Sequence, residues 1–179
     1  MDYKIGRVLI SKKEIHNKVK ELGEAIRRDH EGETVICVCI LKGAFIFCSD
    51  LVREIGADVD VRVDFMRISS YGMSDKSSGE VNIVNDVSSD VKGKHVIIVE
   101  DIYETGLSLE FAKKHLEDLG AKSVDICVIF DKPNRHEHEV YVKYKGLDIP
   151  DDFVIGYGLD YASKFRDLKE LHIAEPVTK

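Results

Sequence analysis

The sequence has few of the residues that interrupt a globular fold or cross-link it. Its 179 residues include only 3 prolines and 13 glycines, and no stretch resembles a linker. Because 44% of the residues are hydrophobic and 33% are charged, the composition excludes a disordered or fibrous chain. A chain of this length can bury one substantial core, so we predict a single domain over residues 1–179.

Cysteines are also few, and their spacing is not that of a zinc or redox site. The four cysteines are Cys37, Cys39, Cys48 and Cys127. None of them is part of a CxxC pair, and three of the four lie in apolar runs. Cys37 and Cys39 would face the same way on a strand, which leaves metal binding or redox chemistry as the alternative. Buried reduced thiols are the commoner arrangement, so we predict those and no disulfide framework.

Basic charge is not in excess, and long apolar runs are missing. The 26 Lys and Arg residues stand against 33 Asp and Glu, and the net charge of −7 gives no general attraction to nucleic acid or anionic membranes. No stretch approaches the ~20 apolar residues of a membrane helix, and the segment MDYKIGRVLI is too charged for a signal peptide. We therefore predict a cytoplasmic protein whose partners are neither nucleic acids nor membranes.

Three common ligand-binding signatures are missing or incomplete. The chain has no GxxxxGK[ST], and GYGLDY at 156–161 has Tyr161 where a third glycine would complete GxGxxG. An NTP or dinucleotide site is thereby disfavoured. His136 and His138 form an HxH in a polar turn, but without a second cluster beside them a solvated loop is predicted rather than a metal site.

What the chain does contain is apolar strands that alternate with amphipathic helices. Helices are predicted over 11–29, with Ser11 and Glu14 as a capping box, from the turn at Lys42 and Gly43 to Gly56, and from Gly106 to Gly120. Strands are predicted at 34–41, 59–68, 80–84, 95–100, 124–130, 140–144 and 153–156, with a polar loop at 69–79. This order predicts an α/β fold with a mainly parallel twisted sheet flanked by helices, and ligands beyond the carboxyl ends of the strands.

The most informative stretch is VIIVEDIYETGLSL, residues 96–109, in which a strand ends in two acids and a Thr-Gly turn opens a helix. Backbone N–H groups at a helix start lack intrahelical partners and attract phosphate. Glu100 and Asp101 offer hard oxygen ligands for a divalent metal or for sugar hydroxyls. Taken alone, the acids would be a solvated strand end and Thr105 a simple N-cap. Taken together, they predict a site for a phosphorylated sugar.

This stretch resembles the phosphoribosyl-pyrophosphate signature of the type I phosphoribosyltransferases, and specifically the hypoxanthine-guanine phosphoribosyltransferase family, whose pattern is close to VEDIxDTGxTL. LKG at 41–43, SSYG at 69–72, DKP at 131–133 and FVIGYGLDYASKFRDL at 153–168 also resemble stretches of that family, so the likeness covers about residues 8–168. The resemblance implies the type I phosphoribosyltransferase fold, with a small hood formed by the terminal segments.

The resemblance also implies an activity, a cofactor and an assembly. The expected reaction is the transfer of a 5-phosphoribosyl group from phosphoribosyl pyrophosphate to hypoxanthine, and also to guanine, with Mg²⁺ as the cofactor. The expected assembly is a homodimer or homotetramer. The sequence does not rank hypoxanthine, guanine and xanthine, because the discriminating contact at Val154 would be made by backbone atoms.

Residue roles follow from the same resemblance. The ribose and its 5′-phosphate would be bound by Glu100, Asp101, Glu104, Thr105, Gly106, Leu107 and Ser108. The pyrophosphate would meet Lys42, Gly43 and Arg166. The purine would meet Lys132, Phe153 and Val154, and Mg²⁺ would meet Glu100, Asp101 and Asp160. Ser70 and Tyr71 belong to a loop that closes over the reaction in this family.

One position departs from the family pattern: Glu104, the implied catalytic acid/base at purine nitrogen 7, stands where the family usually has Asp. One extra methylene displaces the carboxylate by about 1 Å, and misplacement of this size costs about 100-fold in rate. We predict that Glu104 still acts, with reduced or retuned activity. The alternative is a regulatory sensor of phosphoribosyl pyrophosphate that has lost catalysis, which the retained Lys132 and Arg166 disfavour.

Overall fold

Helices and strands alternate along most of the chain in the computed structural model, which describes residues 2–70 and 81–177. The helices are α1 (Lys12–Asp29), α2 (Phe45–Ile55) and α3 (Leu107–Asp118), with a 3₁₀ turn at Pro133–Arg135. The strands are β1 (Tyr3–Ile10), β2 (Thr34–Leu41), β3 (Asp60–Ser70), β4 (Val81–Asn85), β5 (His95–Tyr103), β6 (Ser123–Asp131), β7 (Tyr144–Asp148), β8 (Val154–Ile155) and β9 (Leu171–Pro176).

The larger sheet has the strand order β4-β3-β2-β5-β6-β7. Strand β2 is parallel to β3 and β5, β5 to β6, and β6 to β7, while β4 is antiparallel to β3. The carboxyl ends of the parallel strands therefore meet at one edge of the sheet. The predicted mainly parallel sheet is confirmed.

Alternate residues of the central strands pack on opposite faces of this sheet. In β2, Val35, Cys37 and Cys39 join a buried cluster with α1 and α2. The residues between them pack with α3 on the other face: Ile36, Val38 and Ile40. Burial on both faces explains why β2 is continuously apolar. All four cysteines are buried and free, as predicted.

The helix ends follow the signals in the sequence. Ser11 Oγ accepts from the Glu14 amide at 3.3 Å, and the Ser11 amide donates to Glu14 Oε2 at 2.9 Å, so the predicted capping box begins α1. Gly56, at φ +84°, follows α2. Gly120, the predicted C-cap of α3, has φ +88° and follows the observed C-cap, Leu119, by one residue. No helix in the described part of the chain is long and apolar enough to cross a membrane.

A second sheet, in the order β1-β9-β8, joins the two ends of the described chain. Tyr3 of β1 pairs with Pro176 of β9, and Val154 of β8 pairs with Ile173. This sheet is the hood that the family resemblance implied. The alternation of apolar and polar residues identified neither β1 nor β9.

The strand predicted at 140–144 is wrong in position, because β7 runs over Tyr144–Asp148. Val140 and Val142 produce the alternation, but they pack as partly buried residues against the cluster under α3. The Val140 amide donates to Tyr103 Oη at 3.2 Å instead of joining a strand ladder. Apolar spacing at this point reflects side-chain packing rather than sheet pairing. Most of the loop predicted at 69–79 lies outside the described residues.

Candidate active site

Two adjoining cavities lie at the carboxyl-end edge of the large sheet, beside the hood. One has a volume of about 240 Å³ and lies along the start of α3, and the other, of about 290 Å³, lies below Phe153 and Val154. Asp101, Ile102 and Glu104 line both cavities. A single ligand can therefore extend from one cavity into the other, with its middle part at these shared residues.

The acid pair lies near the end of β5. Glu100 and Asp101 are buried, and the Asp101 amide donates to Glu100 Oε1 at 3.1 Å. Burial raises the pKa of both carboxyls, and the charge of Asp101 raises the pKa of Glu100 further. Arg166 opposes the increase at Asp101. Two adjacent buried carboxylates are costly unless a cation or hydroxyl donors offset them, so this donor set fits Mg²⁺.

The raised pKa values predict a pH-dependent cost of the acid pair. The folded protein holds protons that the unfolded chain releases, so the contribution of the pair to stability is lost as the pH rises through the folded pKa values. Without Mg²⁺ at about pH 8, Asp101→Asn should raise the Tm by roughly 2–4 °C if it removes about 1 kcal/mol of repulsion. Calorimetry checks this, with exposed Asp58→Asn as the control. A Tm that falls in Asp101→Asn would contradict the argument.

The loop after β5 presents a row of backbone amides. Glu137 and His138 donate their amides to the Thr105 carbonyl at 3.0 and 2.8 Å, which holds the loop in place. Gly106, at φ +89°, is the N-cap of α3 and makes no side-chain cap. Interpreting Thr105 as a simple N-cap is therefore wrong. Within the described ranges, the amides of residues 105–109 have no protein acceptor, which is the arrangement that binds phosphate.

Gly106 is required by its surroundings as well as by its φ. A Cβ at this position would lie 2.2 Å from the carbonyl oxygen of His138. Leu107 is the first residue of α3, and Ser108 lines the same cavity as Thr105. The structure therefore brings the predicted phosphate residues together around one pocket.

The turn between β2 and α2 lies directly against the acid pair. The Leu41–Lys42 peptide bond is cis. A Cβ on Gly43 would lie 1.6 Å from Asp101 Oδ2, and a Cβ on Gly158 would lie 2.1 Å from the Gly43 carbonyl oxygen. Glycine is required at positions 43 and 158, because only then can the backbone at Gly43 fit between the Asp101 carboxylate and the backbone of Gly158. Lys42 and Gly43 line the larger of the two cavities, while their contact with pyrophosphate stays a prediction.

Arg166 reaches the same cavity from the segment after β8. Its Nη2 lies 2.5 Å from Asp160 Oδ1, and its Nη1 donates to the Gly158 carbonyl at 2.6 Å. Asp160 Oδ2 also accepts from the Ser163 amide at 2.7 Å. Asp160 thus fixes the guanidinium in this structure, while its role as a metal ligand stays a prediction.

The base side of the site is built around a buried lysine. Lys132 is 4% exposed, and its Nζ donates to Glu104 Oε1 at 3.1 Å. A buried ammonium needs such a partner. Phe153, 44% exposed, lines the same cavity next to buried Val154. The cavity therefore offers a donor and an acceptor side by side, and an aromatic face.

Some neighbours of these residues were not found from the sequence. Arg135 Nε lies 3.6 Å from Glu104 Oε1, and the ring of Tyr3 lies 5.0 Å from that of Phe153. Tyr3 comes from β1, 150 residues from Phe153 in the chain, and no local pattern joins them. The side chain of Ser70 and all of Tyr71 lie outside the described residues, so their predicted loop is not placed here.

The HxH pair does not form a shared site. The ring of His136 stacks on Tyr103 with 3.6 Å between centroids, and its Nε2 lies 2.6 Å from Asp131 Oδ1. His138 Nδ1 instead lies 2.7 Å from Glu110 Oε2. The two imidazoles contact different carboxylates, which agrees with the predicted loop rather than with metal binding.

Comparison with known proteins agrees with the site geometry described above. The phosphoribosyl transferase domain model matches residues 11–162. A hypoxanthine-guanine phosphoribosyltransferase of Staphylococcus aureus is 41% identical over 172 residues, which are 96% of this chain and 95% of the relative. The Bacillus subtilis protein of the same name is 39% identical over 176 residues, which are 98% of this chain and 97% of the relative.

A solved structure also has this fold. The crystal structure of a hypoxanthine-guanine phosphoribosyltransferase from Bacillus anthracis superposes with a TM-score of 0.89 at 38% identity, over 97% of this chain and 100% of that chain. The family model, the two relatives and the solved structure each match most of the length of this chain. The chain therefore belongs to the phosphoribosyltransferase family, among its hypoxanthine-guanine members.

Proposed function

We propose that this protein is a magnesium-dependent purine-salvage enzyme. It transfers a 5-phosphoribosyl group from phosphoribosyl pyrophosphate to hypoxanthine, and also to guanine, and so produces the nucleoside 5′-monophosphate and pyrophosphate. One observation carries the proposal: the amide row at 105–109, the acid pair and the Lys132–Glu104 pair line two adjoining cavities. These groups match phosphate, ribose and purine in the order in which a nucleotide joins them.

The phosphate end anchors the substrate. The amides of 105–109 and the hydroxyls of Thr105 and Ser108 bind the 5′-phosphate, helped by the positive end of α3. Glu100 and Asp101 accept from the ribose hydroxyls. Because the β5 strand and α3 fix both groups, the anomeric carbon is held at the junction of the two cavities. Fixed positioning of this kind contributes a large part of the barrier reduction.

The leaving pyrophosphate meets the cationic side of the larger cavity. Lys42 and Arg166 provide positive charge there, and the guanidinium is suited to bidentate contact with phosphate. Glu100, Asp101 and Asp160 are the residues that would hold Mg²⁺. When bound, Mg²⁺ supplies further positive charge to the pyrophosphate and offsets the repulsion within the acid pair.

The purine lies between Phe153 and the Lys132–Glu104 pair. Oxygen 6 and nitrogen 7 are neighbours on a 6-oxopurine, so Lys132 donates to the oxygen while Glu104 takes the proton from the nitrogen. A lysine donor favours a 6-oxopurine over adenine. The backbone of Val154 contacts the pyrimidine edge, and Phe153 stacks on the ring.

The phosphate contact gives a separate prediction. A hydrogen bond to a charged group contributes about 1.5–3 kcal/mol, so Ser108→Ala should raise the KM for phosphoribosyl pyrophosphate about 10- to 100-fold. The KM for hypoxanthine should change little, because the base binds in the other cavity. Steady-state kinetics with each substrate varied in turn checks this, with Ser49→Ala on the exposed face of α2 as the control. Equal increases in both KM values would argue against this placement of the phosphate.

The test of the activity is direct. The purified protein is mixed with hypoxanthine, Mg²⁺ and phosphoribosyl pyrophosphate, and inosine monophosphate is measured by chromatography. We expect product at a rate proportional to enzyme. Tight binding of phosphoribosyl pyrophosphate without product would support the sensor instead. Parallel reactions with guanine and xanthine rank the bases.

The family resemblance supports three further proposals about the protein as a whole. The chain acts as one domain over residues 1–179, it assembles as a homodimer or homotetramer, and it works in the cytoplasm. Sedimentation velocity measures the assembly.

A further inference from the structure

A second cluster of ligand-type side chains lies at the opposite edge of the large sheet. His30 is the C-cap of α1, Glu33 lies in the turn before β2, and His95 is the first residue of β5. Glu100 is five residues further along β5, roughly 17 Å away at 3.3 Å per residue. The cluster is therefore separate from the phosphoribosyl site.

The three side chains converge on one point. Glu33 Oε2 lies 3.3 Å from His30 Nδ1 and 3.2 Å from His95 Nε2, and all three atoms lie within 4.8 Å of one another. In a tetrahedral zinc site with bonds of about 2.0–2.1 Å, ligand atoms are about 3.3–3.4 Å apart. The two short separations already match such a site.

The outer nitrogens of both rings have partners that orient the rings. His30 Nε2 lies 3.3 Å from Tyr144 Oη, and the Tyr144 hydroxyl donates to Asp29 Oδ2 at 2.8 Å. His30 Nδ1, the other ring nitrogen, lies 3.3 Å from Glu33 Oε2, so the ring presents this nitrogen to the point where the three side chains converge. His95 Nδ1 lies 2.7 Å from Ser123 Oγ. Such outer contacts are typical of metal-binding histidines.

The inner nitrogen of His95 lacks a hydrogen bond. His95 Nε2 is buried and has no hydrogen-bond partner among the described residues, although Glu33 Oε2 is 3.2 Å away. A buried polar atom without a partner is costly. A cation between the nitrogen and the carboxylate would satisfy both groups.

The surrounding charges favour a cation. Asp29 and Asp125 flank His30 and share Lys143, whose Nζ lies 3.1 Å from each. Lys122 Nζ lies 3.8 Å from Glu33 Oε1. The carboxylates of Asp29, Glu33 and Asp125 thus outnumber the ammonium groups of Lys122 and Lys143. This difference leaves a net negative charge around the imidazoles.

We propose that His30, Glu33 and His95 bind one divalent transition-metal ion of the zinc type, through two imidazole nitrogens and one carboxylate, with water as the fourth ligand. Imidazole suits Zn²⁺, whereas Mg²⁺ prefers oxygen ligands, so this site does not compete with the acid pair for Mg²⁺. The ion ties the end of α1 to the turn before β2 and to the first residue of β5. Its role is to stabilise the fold at the edge remote from the chemistry.

Equilibrium dialysis against ZnCl₂ tests the site, with tag-free protein and excess Mg²⁺ to occupy the acid pair. We expect one Zn²⁺ per chain in the wild type and about 100-fold weaker binding, or more, in His95→Asn. Asparagine retains a polar atom near the Nδ1 position and removes Nε2. Glu33→Gln, at a half-exposed position that should not affect folding, should weaken binding as well. His138→Asn removes the rival HxH pair and should bind like the wild type.

Two further measurements use the same variants. Bound Co²⁺ should give the visible absorption of a tetrahedral site in the wild type and not in His95→Asn or Glu33→Gln. Zn²⁺ at about 100 times its Kd should raise the wild-type Tm by roughly 5–10 °C and leave the Tm of both variants nearly unchanged. No Zn²⁺ binding by the wild type, or the same stoichiometry and Tm increase in wild type and both variants, would overturn the proposal.

Discussion

Replacing Glu104 with glutamine should lower kcat/KM for hypoxanthine by about 10²- to 10⁴-fold, the usual contribution of a positioned acid/base. Glutamine keeps the length and shape of the side chain but cannot accept the proton from purine nitrogen 7. It also removes the carboxylate that pairs with buried Lys132 at 3.1 Å. Because the chemical step is affected, kcat should fall more than the affinity for phosphoribosyl pyrophosphate. Stopped-time assays of inosine monophosphate formation measure the effect.

Glu104→Asp is the matched control. It keeps the carboxylate and restores the side-chain length that the family usually has, so we expect activity equal to or above that of the wild type. Lys132 and Arg135 both lie within reach of the Glu104 carboxylate, which shows how a longer side chain is held at the base site. If Glu104→Gln and Glu104→Ala both turned over at the wild-type rate, Glu104 would not be the acid/base.

Gly43→Ala should lower kcat/KM by about 100-fold or more, although it adds only a single methyl group. The new Cβ would lie 1.6 Å from Asp101 Oδ2 and 2.6 Å from its Cγ, so the carboxylate or the turn must move. The carbonyl side of Gly43 is equally crowded, since a Cβ on Gly158 would lie 2.1 Å from the Gly43 carbonyl oxygen. Asp101 is the group that yields, and ribose positioning is lost with it.

Gly93→Ala separates this effect from a general cost of removing glycine. A Cβ on Gly93 meets nothing within 4 Å, but the residue has φ +68°, so alanine there costs stability without touching the site. We expect a lower Tm and full kcat/KM per folded molecule. Gly43→Ala should show the reverse: a Tm close to that of the wild type and greatly reduced turnover. Turnover of Gly43→Ala within twofold of the wild type would contradict the packing argument.

The sequence was sufficient where local chemistry decides the structure. The capping box at Ser11 and Glu14 begins α1, and the continuously apolar β2 matches its predicted bounds of 34–41. The amide row after β5 also follows from sequence, because an apolar strand, two acids and a Thr-Gly turn leave the first amides of the next helix free. These features depend on neighbours within a few residues.

The sequence was insufficient where distant segments meet. Strand β7 begins at Tyr144 and not at Val140, because packing of Val140 against the α3 side replaces sheet pairing. The Lys132–Glu104 pair joins residues 28 apart, and the crowding of Gly43 against Asp101 joins residues 58 apart. The convergence of His30 and His95 is of the same kind. Such contacts are fixed by how the sheet orders its strands, which no local pattern encodes.

The crystal structure of the complex with inosine 5′-monophosphate tests the central claim most directly. We expect phosphate oxygens at hydrogen-bond distance from the amides of residues 105–109, about 2.7–3.2 Å, and the ribose hydroxyls at Glu100 and Asp101. Hypoxanthine should stack on Phe153, with oxygen 6 at Lys132 and nitrogen 7 at Glu104. A phosphate bound away from the start of α3, or amides there that donate to protein atoms in the complex, would contradict the account.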